Sequence, residues 1–115
     1  MTSLTALQFQ LITNIMHSNY GDLEQTPEDV MTYTRDTYTF EAFEGIPEAS
    51  HGGMVAQAEK AGLVEVGYPE EVSFNSGEYV TLIEVTNKGK RAWLDACGAR
   101  GIDYRDAGAC HDAQV

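Results

Sequence analysis

The sequence predicts an α+β domain in which three helices precede a two-stranded β-hairpin and a closing helix. Three observations carry this. Leu4, Leu7, Leu11 and Ile15 recur at spacings of three and four, the mark of an amphipathic helix. Gly62 separates a helix rich in small residues from the β-prone run Leu63-Val64-Glu65-Val66. A second run with apolar alternation, from Tyr79 to Val85, ends at Thr86, a residue suited to capping a helix.

The first helix is expected over residues 4–20. Ser3 is its N-cap, Ile12 and Met16 flank the apolar stripe, and Gly21 stands just past the end. The second begins at Thr26-Pro27-Glu28-Asp29. Threonine caps, proline suits the first helical position, and two acids complement the helix dipole. It is expected to run to about Asp36. Beyond that the stretch is unresolved, because Thr34, Thr37, Tyr38 and Thr39 are β-prone while Val30, Met31, Thr34 and Tyr38 also share a helical face. Phe40 and Phe43 are expected to fill the core from the connection.

Gly45-Ile46-Pro47 breaks the chain, and a third helix follows from Glu48 or Ser50 to Ala61, with Met54, Ala58 and Ala61 on one face. The two runs after Gly62 pair as a hairpin with a long tip, GYPEEVSFNSGE. A last helix is expected over residues 87–99, burying Ala92, Trp93, Ala96 and Cys97, with Trp93 as a core anchor. Residues 1–100 form one domain and residues 101–115 a loose tail.

The chain has 115 residues and a net charge of −11. Residues 1–87 hold fourteen acids against two bases, whereas residues 88–115 hold four acids against five bases. A field of this sign repels phosphate backbones and favours basic partners. No apolar run approaches membrane-spanning length, and the first residues lack the basic start and cleavage site of a signal peptide, so a cytoplasmic location is expected. Cys97 and Cys110 read as free thiols, and His17, His51 and His111 show no metal-ligand spacing.

Two motifs extend the fold reading. "AEKAGLVEV" (58–66) resembles the end of the recognition helix and the first wing strand of MarR and PadR-like regulators, and "VTNKGKRAWL" (85–94) resembles the end of their wing and the start of the next helix. Together they make the stretch from Ser50 to Leu94 similar to a winged helix-turn-helix domain. The physical demands agree. Gly62 can turn a helix sharply into a strand, and Gly89 sits where a side chain would collide with the wing.

The resemblance implies double-stranded DNA binding through the third helix and the wing. Ser50, His51, Gln57, Lys60, Lys88, Lys90 and Arg91 would carry the contacts. It also implies a homodimer, with residues 4–20 and 87–99 supplying the dimer contacts. The sequence departs from that pattern where phosphate contacts are needed. The third helix has no arginine to read guanine, and the wing tip brings Glu70, Glu71 and Glu78. The leading expectation is therefore a non-enzymatic winged-helix module that binds a basic protein surface. Its acidic surface comprises Glu41, Glu44 and Glu48 before the third helix and Glu65, Glu70, Glu71 and Glu78 around the wing. Small acidic phage proteins that inhibit host nucleic-acid-binding proteins are similar in size and charge. The alternative is a dimeric DNA-binding transcriptional regulator.

Enzyme activity is not expected. The sequence has no Gly-rich phosphate loop and no nucleophile elbow, and no cofactor is implied. His51-Gly52-Gly53 is a three-residue match to an oxyanion-hole motif without a partner serine, and acid pairs such as Glu41 with Glu44 arise by composition alone.

Overall fold

The computed structural model describes residues 4–17, 26–32, 34–67, 70–71 and 79–106. They form helices α1 (Ala6–Met16), α2 (Pro27–Thr32), α3 (Thr39–Ala42), α4 (His51–Lys60) and α5 (Asn87–Ala99). The strands are β1 (Asp36–Tyr38), β2 (Val64–Val66), β3 (Glu70–Glu71), β4 (Tyr79–Val80) and β5 (Leu82–Val85). Short 3-10 turns cover Glu48–Ser50 and Tyr104–Asp106. The class is α+β, as the sequence predicts.

α1 is the central helix. Phe9, Leu11, Ile12, Ile15 and Met16 are buried, and the helix packs on α3, α4, α5, β1 and β5. Leu4 and Leu7 cover the rim of that core. Its cap is Thr5, whose hydroxyl accepts from the Gln8 amide at 3.1 Å while the Gln8 side chain accepts from the Thr5 amide at 3.0 Å. The expected cap, Ser3, and the expected stop, Gly21, lie outside the described residues.

α2 starts as expected, with the Thr26 hydroxyl accepting from the Asp29 amide at 3.2 Å. It ends at Thr32 rather than near Asp36. The next residues form β1, which pairs with β5 and buries Thr37 against the core. A tertiary partner thus decides a stretch whose local composition suits either state. β1 also makes the sheet three-stranded where a two-stranded hairpin was expected. The order is β1-β5-β2, all antiparallel.

The expected hairpin is present, with Val64 opposite Val85 and Val66 opposite Ile83. It continues as a second ladder, Glu70 opposite Val80 and Glu71 opposite Tyr79, whose register is offset by one residue from the inner ladder. The expected strand from Tyr79 to Val85 is interrupted at Thr81, whose carbonyl accepts from the Thr39 amide at the start of α3 at 2.9 Å. The tip residues, including Glu78, lie outside the described residues.

α4 buries Met54 and Ala58. It stops at Gly62, whose φ of 78° lies in the left-handed region that favours glycine. One threonine then ties the elements together. The Thr86 hydroxyl donates to the Gly62 carbonyl at 2.5 Å and accepts from the Gly89 amide at 3.0 Å, while the Thr86 amide donates to the Leu63 carbonyl at 3.0 Å. A Cβ on Gly89 would lie 2.1 Å from the Leu63 carbonyl oxygen, so α5 can approach β2 this closely only with glycine there.

Trp93 is fully buried, and its indole N–H donates to the Thr13 hydroxyl at 2.9 Å. His17 and Tyr104 meet it edge-on, with centroids 6.0 and 6.3 Å away. The His17 ring N–H donates to the Tyr104 carbonyl at 3.0 Å. The packed body therefore extends beyond residue 100: Ile102 and Tyr104, within the stretch expected to be a loose tail, lie against the core.

Candidate functional site

Two surfaces are candidates: the exposed side of α4, with the basic residues near it, and the outer face of the sheet. On α4, Gly52, Gly53, Ala56, Gln57, Glu59 and Lys60 are exposed and Ser50 is half-buried. His51 is occupied by the fold. Its ring stacks on Phe43 at a centroid distance of 4.2 Å and its Nε2 donates to the Ile46 carbonyl at 2.8 Å. Phe43 thus reaches the core edge as expected, while the side chain of Phe40 lies outside the described set. The polar face of α4 is left with Gln57, Glu59 and Lys60, one cation against one anion.

The late basic cluster divides. Lys88 is exposed and reaches over the turn between α4 and β2, its Cδ 3.5 Å from where a Gly62 Cβ would stand. Arg91 is exposed on the side facing α2, in a groove with Pro27, Glu28, Met31, Leu94 and Asp95. Lys90, expected at the surface as a phosphate contact, is 3% exposed. It stands three residues before Trp93 and seven before Cys97, on the buried stripe of α5. There it lines a polar hollow with Glu65, Glu84 and Asn87. A lysine so enclosed is poorly placed to reach a DNA backbone.

The acids also divide. Glu41, Glu44 and Glu48 follow one another along the connection to α4. Glu41 accepts a short hydrogen bond from the Thr37 hydroxyl, so it also braces β1. Glu44 and Glu48 are exposed, and the backbone carbonyl of Glu44 is held by the Asn14 and Gln10 side chains at 2.8 and 3.2 Å. Glu65 is exposed on β2, and Glu70 and Glu71 make up β3.

The sheet adds residues that the sequence did not single out. Glu84 stands opposite both Asp36 on β1 and Glu65 on β2, so three carboxylates cross the sheet in one row. Thr37, Ile83, Val85 and Val64 turn inward from the same strands. Two residues along, Tyr38 stands opposite Leu82, and Gly67 donates its amide to the Leu82 carbonyl at 2.8 Å. Leu82, 39% exposed, is the exposed large hydrophobic side chain among the described residues. The signal for this face was present: the inward alternation of Thr81, Ile83 and Val85 places Leu82 and Glu84 outward.

Among the described residues, no group of three or more His, Cys, Asp or Glu is placed to hold a metal ion. Cys97 is a buried free thiol, and burial pushes it up to about 11. The exposed carboxyl of Asp103 is held at about 2 by hydrogen bonds from the Arg105 side chain and amide. No helix among the described residues is long and apolar enough to cross a membrane. No protein-family model, curated protein or solved structure matches the chain.

Proposed function

We propose that this chain is a small acidic winged-helix module without enzymatic activity whose acidic surface binds the basic surface of a protein partner, of the kind that otherwise holds nucleic acid. The observation that carries the reading is the row Asp36, Glu84 and Glu65. Like charges directly opposite on neighbouring strands oppose sheet formation. With Lys90 enclosed beside Glu65 and Glu84, the row still leaves this face net negative, the sign that a basic partner surface complements. The winged-helix reading draws support from the strand order β1-β5-β2, from α4 leading through Gly62 into the hairpin, and from α5 packed closely behind it.

The same surface argues against phosphate. Affinity for DNA rests largely on lysine and arginine at the backbone. The hairpin arm here carries Glu65, Glu70 and Glu71, and Lys90 is enclosed. The second reading, a dimeric DNA-binding regulator, is favoured by one observation: Gln57 and Lys60 are exposed on α4, and Lys88 lies over the turn that follows it. A dimer in that reading has only the partly buried Leu4 and Leu7 and the outer side of α5 to use, because Phe9, Leu11, Ile12, Ile15 and Met16 are buried within their own chain.

Two assays separate the readings. In the first, the protein is tested for a mobility shift of its own upstream DNA at low salt with competitor DNA. In the second, a partner captured from host lysate is identified, purified and titrated against the wild-type protein and a Glu65→Lys, Glu70→Lys, Glu71→Lys variant. The expected result is no competitor-resistant shift and a loss of partner affinity of about tenfold or more in the variant, greatest at low salt. A competitor-resistant shift, or partner affinity indifferent to the three reversals at every ionic strength, would overturn the protein-binding reading.

A further inference from the structure

We draw no further inference here: the strongest candidate, the groove between α2 and α5 lined by Pro27, Glu28, Met31, Arg91, Leu94 and Asp95, carries nothing, because nothing in the structure shows what covers it.

Discussion

On one side of β1, β5 and β2 stand Thr37, Ile83, Val85 and Val64, none more than 2% exposed. On the other, one residue along each strand, stand Asp36, Glu84 and Glu65. The backbone is shared, so the difference lies in what each face does for folding. The inner face closes over α1, α3 and α5 and supplies apolar burial. The outer face sets like charges side by side, which works against the pairing that the inner face rewards. Folding accounts for the first arrangement. It accounts for the second only in part, through the enclosed Lys90 beside Glu65 and Glu84, and the exposed Glu65 is left to face solvent or a partner.

The contrast is sharpest at two neighbours in β5. Ile83→Ala should destabilise the protein by about 2–5 kcal/mol, since it opens a cavity among residues that are fully buried. In a domain of this size that is a large share of the total stability, and urea denaturation should show a lower midpoint. Gly89→Ala comes next, at about 1–3 kcal/mol, because the new methyl meets the Leu63 carbonyl and the backbone of β2 must move. Differential scanning calorimetry would detect it, and an unchanged melting temperature would mean that the close approach of α5 to the sheet is not tight. The smallest effect is at Glu84→Gln, a change within about 1 kcal/mol, because removing the middle charge of the row relieves like-charge repulsion but takes a carboxylate from the hollow that encloses Lys90. A loss well above that in urea denaturation would show that Glu84 supports the fold, and the contrast between the faces would fail there.

Much of the inner face was legible in the sequence. The 3.6-residue stripe in α1, the glycine stop at Gly62, the alternation through β5 and the Thr86 cap all follow from local chemistry, and the structure contains each of them. β1 was not legible, because Thr34 to Thr39 fits a strand and a helix almost equally well and the decision comes from β5, far along the chain. The acid row was hidden for the same reason. Glu65 was singled out, and Glu84 faces it once the hairpin register is fixed, but Asp36 comes beside Glu84 only when β1 joins the sheet. Lys90 shows the converse. Its spacing to Trp93 and Cys97 marks the buried stripe, yet its charge points to the surface, and the periodicity outweighs the charge.

Thr86 has a mechanical consequence. Its hydroxyl and amide, through three hydrogen bonds, clamp the end of α4, the root of β2 and the first turn of α5 at one point. With Gly89 pressed against the Leu63 carbonyl, that joint has no slack. The root of the hairpin and the start of α5 are thus coupled at one residue, and displacing either one strains the hydrogen bonds of a single threonine.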